Sequence, residues 1–214
     1  LSLLALSIGL LTFAQKDELK AAEKALKGED WAKAKASVDQ AEGLIANADA
    51  KLQAKFHFLK AKAYYEVAKK QPALAADAFD ISAKSFTDLI EFEKKTGKAK
   101  YTAEAQPLLN ALIGDVSQKG IKEYENKDYA SAKKTLLQTY SLSKTDTVFL
   151  EYAATAAYLD KDFDTSLKHF KALKDLGYTN IATTYSAINT DSNEKENFET
   201  KGQMDLMIKT GKYK

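Results

Sequence analysis

From Gln15 onward apolar residues recur at three- and four-residue intervals, the period of an amphipathic helix, and short polar turns separate the periodic segments. The pattern predicts helices near 16–27, 30–46, 52–69, 72–94, 103–126, 129–142, 146–160 and 163–176. Helices joined by loops this short pack antiparallel, so the chain reads as a series of helical hairpins. After Gly177 the period changes. Residues 181–190 are rich in β-branched and aromatic side chains, 191–193 form a turn cluster and 196–200 return as a second strand, which predicts a small β-hairpin. A short helix over 201–210 follows, presenting Met204, Leu206, Met207 and Ile208 with no helix after it to cover them. The expectation is a truncated further repeat there, with Lys214 not a natural end.

Three turns are alike. GEDWAKA (28–34), NKDYASA (126–132) and DKDFDTS (160–166) each place Asp before an aromatic and a small residue three positions on: Asp30, Trp31 and Ala34; Asp128, Tyr129 and Ala132; Asp162, Phe163 and Ser166. Seven residues beyond each aromatic stands an apolar side chain, Val38, Leu136 or Phe170, on the same helix face. Tyr129 and Phe163 are 34 residues apart, and the same interval relates Tyr124 to Tyr158 and the small residues Gly120 and Ala154.

On these residues the chain resembles the tetratricopeptide repeat (TPR) family, whose unit is a 34-residue helix–turn–helix with small residues where its helices cross. Residues 113–180 follow that pattern in two units, and 15–48 follow it mainly in the second helix. Segment 51–100 departs from it: its second helix has no aromatic start, and Trp31 stands 98 residues from Tyr129, not a multiple of 34. The resemblance implies an all-α, TPR-like helix–turn–helix solenoid, in which hairpins stack because one alone cannot bury its apolar face, with a concave groove as the binding surface. The hairpin interrupting the helices near the carboxyl end resembles an arrangement in exported TPR proteins of Bacteroidota.

Residues 1–14 carry no charge and read as the later part of a secretory signal peptide, with Thr12 and Ala14 before a cut; a buried helix or an anchor is the alternative. The run spans about 21 Å as a helix, short of a hydrocarbon core of about 30 Å. The expectations are a sequence that starts inside its gene product, export to the periplasm or beyond, and no integral membrane segment in the mature chain. The expected domains are the signal remnant 1–14, a helical repeat domain 15–180, and the hairpin with its short helix over 181–214.

Composition narrows the chemistry. All 32 basic residues are lysine against 30 acidic ones, and there is no cysteine. Without arginine the chain lacks the bidentate reader of phosphate and carboxylate, and without cysteine it lacks thiolate nucleophiles and tetrahedral zinc sites. A net charge of +2 gives no field for nucleic acid. His57 and His169 stand apart from other metal-type ligands. Asp160, Asp162 and Asp164 mimic the start of a calcium loop, but Thr165 and Lys171 stand where Gly and Glu are needed, so the acids read as helix-start residues. Lys94, Lys95, Lys98 and Lys100 cluster beside Glu91 and Glu93 and read as a solvated loop. No catalytic residue, metal or cofactor is expected, and the chain is expected not to be an enzyme.

The resemblance turns attention to Tyr124 and Tyr158, late in the first helix of a repeat, where side chains face the groove. Tyr64 in the irregular segment and Glu151 join them as candidate groove residues. Tyrosine offers apolar area with a polar tip, as interfaces favour; the other open reading is that these rings fill the contact between neighbouring hairpins. The arginine-dependent capture of a terminal carboxylate is excluded, since Ser117, Ile121, Glu151 and Thr155 hold the corresponding places. The expected function is an exported scaffold or adaptor binding a protein or peptide in its concave groove. The alternatives are a structural part of a cell-envelope complex, or a non-catalytic repeat region of a longer protein.

Overall fold

The computed structural model describes residues 2–143, 145–179, 183–198 and 200–214, with 2–14 described by backbone alone. Nine α-helices occur among the described residues: α1 (Ser2–Lys27), α2 (Trp31–Glu42), α3 (Ala50–Lys70), α4 (Ala78–Thr96), α5 (Thr102–Glu125), α6 (Tyr129–Ser143), α7 (Thr147–Leu159), α8 (Phe163–Asp175) and α9 (Lys201–Lys209). Strands β1 (Tyr185–Ile188) and β2 (Lys195–Phe198) lie between α8 and α9. The chain divides into two compact units, Leu1–Ala172 and Leu173–Lys214. None of the helices is long and apolar enough, among the described residues, to cross a membrane.

The three like turns share one backbone geometry. Glu29, Lys127 and Lys161 each sit in the left-handed region, at φ 57°, 64° and 62°. The next residue, Asp30, Asp128 or Asp162, donates its N–H back to Ala25, Glu123 or Ala157 at 2.9 Å in each case. Its carboxylate then accepts from the N–H of Lys33, Ser131 or Thr165 at 3.1–3.2 Å. One helix is thereby closed and the next opened within three residues, so orphan backbone groups at both ends are satisfied.

Two helices are shorter than their periodicity suggests. The segment read as 30–46 stops at Glu42 and passes through a 3-10 turn, Ile45–Asn47, before Asp49 caps α3 by accepting from Leu52 N–H at 2.9 Å. The segment read as 72–94 starts at Ala78, because Pro72 opens a separate 3-10 turn over Pro72–Leu74. Proline fits a first turn but cannot donate within a longer helix. Gly97, at φ +68°, closes α4.

Packing proceeds by neighbours. One core cluster joins α1, α2 and α3 through Leu19, Val38, Phe56 and Leu59; the next joins α3, α4 and α5 through Phe58, Phe86, Leu89 and Leu112. A third gathers Ala132 and Leu136 of α6 with Ala153 and Ala156 of α7, and Tyr124 of α5 packs against it. Adjacent Tyr64 and Tyr65 point opposite ways: the Tyr64 hydroxyl donates to Asp39 of α2 at 2.6 Å, the Tyr65 hydroxyl to Asp115 of α5 at 2.6 Å. The unit is therefore a row of helices packed consecutively, mostly helical as expected.

In the second unit β1 and β2 pair antiparallel, Tyr185 opposite Phe198 and Ile188 opposite Lys195. The Asn189 side chain accepts from Asp191 N–H at 2.9 Å, and Asn193 takes a left-handed conformation, which builds the turn. The hairpin is present but narrower than the pattern suggests, and Ile181, Ala182 and Glu199 lie outside the described residues. The helix after it carries a capping box, Thr200 with Gln203, and its Leu206 and Ile208 are exposed while Met204 and Met207 are half-buried.

Candidate functional site

The carboxyl-terminal turns of α5 pass close to α6 because Gly120 has no side chain. A Cβ built there lies 3.0 Å from Leu136 Cγ and Cδ2 and 3.3 Å from Thr135 Cγ2. This close approach brings Ile121, Tyr124 and Glu125 of α5 to face Val148, Phe149 and Tyr152 of α7 above Leu136, which forms a buried floor. The space between them is a cavity of about 310 Å³, at the small end of the roughly 300–1,000 Å³ of ligand pockets.

The cavity wall is aromatic. Tyr124 meets Tyr129 edge-on at 5.5 Å between centroids and Tyr152 at 5.6 Å. Burial pushes the Tyr124 hydroxyl above its ordinary pKa, with Tyr129 and Tyr152 adding to the shift. Ile121, Val148 and Tyr152 are exposed at the mouth, and Glu125 is the one charged residue among the described residues that line it. An apolar, tyrosine-walled recess with a single carboxylate rim can hold an uncharged side chain by burial and orient a cationic or hydrogen-donating neighbour.

Of the four candidate groove residues, only Tyr124 lines this cavity. Tyr64 is 5% exposed and locked into the α2–α3 contact by its bond to Asp39, with Lys35 over its ring at 5.3 Å. Burial and the Asp39 carboxylate raise its pKa. Tyr158 is 59% exposed and stacks edge-on with Phe163 at 5.7 Å, the counterpart of Tyr124 on Tyr129 one 34-residue interval earlier. Glu151 is half-buried on α7 and does not line the cavity.

Tyr152, Phe149, Val148 and Glu125 are the residues that sequence reasoning missed. A signal existed, because α7 carries Leu150, Ala153, Ala154 and Ala157 for its buried side and a second apolar set, Val148, Phe149 and Tyr152, beyond what one buried stripe requires.

In the acidic run 160–164, Asp160 and Asp162 are internally satisfied. Asp160 and Asp162 hold Lys133 Nζ at 2.6 and 2.8 Å, and the hydrogen bond from Lys133, with that from Thr165, holds the Asp162 carboxyl down at about 2. Burial lowers the pKa of both His57 and His169. No group of three or more His, Cys, Asp or Glu able to hold a metal occurs among the described residues. Comparison with protein-family models, with curated proteins and with solved structures finds no match for this chain.

Proposed function

We propose that this chain is an exported, non-enzymatic scaffold or adaptor of TPR type, and that the cavity between α5 and α7 receives an apolar side chain of a bound peptide or protein segment. The observation carrying the reading is the cavity's composition: tyrosine and aliphatic side chains stand exposed around a recess instead of closing it. The turns at 28–30, 126–128 and 160–162, with one left-handed residue and one shared hydrogen bond each, support the repeat reading. Export rests on the uncharged run before Gln15.

Selection of a random peptide library on the purified chain tests the proposal. The expected outcome is a recurring motif with one bulky apolar residue whose binding is lost in Tyr152→Ala. Motifs that bind the variant as well as the parent would remove the cavity from the account.

A second reading, a structural part of an assembly, has its own observation. Phe163, Leu167 and Phe170 recur on one face of α8 and are exposed, where the 34-residue counterpart of Phe170, Leu136, is fully buried. Light scattering after size exclusion tests it: a mass that rises with concentration supports assembly, and a concentration-independent monomer argues against it.

A further inference from the structure

Two further cavities, of about 260 and 410 Å³, adjoin where α1 and the start of α3 meet the loop before α5, and they share Lys51, Lys100 and Tyr101. Their floor is apolar, with Leu52, Phe92 and Tyr101 half-buried. Six lysines surround it, Lys16, Lys20, Lys51, Lys55, Lys98 and Lys100.

The two carboxylates that line the same cavities are already used. Asp49 caps α3 through Leu52 N–H. Glu93 is 1% exposed and accepts from Tyr101 N–H at 2.9 and 3.0 Å, from Thr102 N–H at 2.9 Å and from Thr102 Oγ1 at 2.7 Å. Glu93 therefore starts α5 from inside the fold, and its charge faces α5 backbone dipoles instead of the lysines that neighbour it in sequence. Lys20 pairs with Asp17 at 3.3 Å and Lys55 with Glu23 at 2.6 Å. Lys16, Lys51, Lys98 and Lys100 are exposed and have no ion pair among the described residues; Lys100 lies over the Tyr101 ring at 5.0 Å.

We infer that this groove binds an acidic peptide segment carrying a bulky apolar side chain between its carboxylates. Four unpaired cations set the sign of the ligand, and the apolar floor sets its second requirement. Two adjoining recesses suit neighbouring side chains of one extended backbone. Lysines are separate point charges, without the planar fork that grips a single phosphate, and so match carboxylates spread along a chain. A recessed floor does not fit a flat bilayer surface, and a net charge of +2 gives no field for nucleic acid. This site is distinct from the α5–α7 cavity, whose rim charge has the opposite sign.

Calorimetric titration of the full chain at low salt with the acetylated peptide Asp-Glu-Phe-Glu-Asp tests the inference. Binding is expected for that peptide, and not for its amide counterpart Asn-Gln-Phe-Gln-Asn or its serine counterpart Asp-Glu-Ser-Glu-Asp. The double substitution Lys51→Glu/Lys100→Glu is expected to weaken it about tenfold or more, while Lys122→Glu/Lys134→Glu, with the same charge change elsewhere, leaves it unaltered. Circular dichroism checks that both variants keep their helices. No binding up to about 1 mM, equal binding of the amide peptide, equal loss in both double variants, or stronger binding to phosphatidylglycerol vesicles than to the peptide would each overturn it.

Discussion

The rings of Tyr124 and Tyr152 meet edge to face, with centroids 5.6 Å apart and planes at 84°. This pair joins α5 to α7 and builds the cavity wall, but its members carry different structural loads. Tyr152 is 45% exposed, whereas Tyr124 is half-buried and also packs on Tyr129. Tyr152→Ala is expected to cost about 1 kcal/mol, mostly the edge-to-face contact, and Tyr124→Ala about 2–3 kcal/mol, since it loses two rings and buried area. Urea unfolding measures both, and equal costs would show that the two rings are equally structural.

Gly120 and Gly114 lie on the same helix and should respond oppositely to alanine. A Cβ at Gly120 meets buried Leu136 at 3.0 Å, whereas at Gly114 it meets nothing within 4 Å. Gly120→Ala is expected to destabilise by about 1–3 kcal/mol through overpacking, and Gly114→Ala to stabilise by about 0.5–1 kcal/mol through helix propensity. Adding Leu136→Ala should make Gly120→Ala less costly than it is alone, a coupling visible in a double-mutant cycle.

The repeated turns place glutamate and lysine where the backbone is left-handed. Lys127→Gly and Lys161→Gly remove the Cβ penalty at φ 64° and 62°, and each should raise stability by about 0.5–1 kcal/mol after the entropy glycine adds to the unfolded chain. The two turns share no residues, so melting and denaturant data on the double variant should be near additive.

Glu93 supplies the start of α5 from within the fold. Burial alone would raise its pKa, but hydrogen bonds from Thr102 and the Tyr101 and Thr102 N–H groups hold it below its ordinary value of 4.5. Its stabilising contribution is thus fully present above that value and is lost as pH falls through the lowered one. Glu93→Gln presents an amide to backbone donors and is expected to cost about 2–4 kcal/mol at neutral pH. It should also flatten the loss of stability on acidification below pH 4.5, the ordinary value, and a variant whose acid limb matches the parent's would refute this account.

The helices and the recurring turns were legible because both are local: periodicity fixes the first, and Asp before an aromatic with a small residue three positions on marks the second. What lay on which side of a helix was not. Tyr64 and Tyr65 are chain neighbours, yet their hydroxyls go to Asp39 and Asp115, on different helices. Tyr64 is therefore core although its place in the pattern suggested a groove. Glu93 sits among lysines in the sequence and turns away from them in the fold, since the N–H groups eight and nine residues ahead compete for it. The cavity's Val148, Phe149 and Tyr152 needed the packing of α7 on α6 to be set apart from its buried side. The hairpin was legible as β-branched residues around a turn, but the exchange of backbone hydrogen bonds between Ile188 and Lys214 at 2.9 Å was not, because those partners lie far apart in the sequence.

A double-mutant cycle between Tyr152→Ala in the chain and alanine at the apolar anchor of a selected peptide tests the central claim most directly. If that side chain sits in the α5–α7 cavity, each single change weakens binding, and the double change weakens it by less than the sum, with a coupling of about 1 kcal/mol or more. Strictly additive losses, or no loss from Tyr152→Ala, would contradict the account.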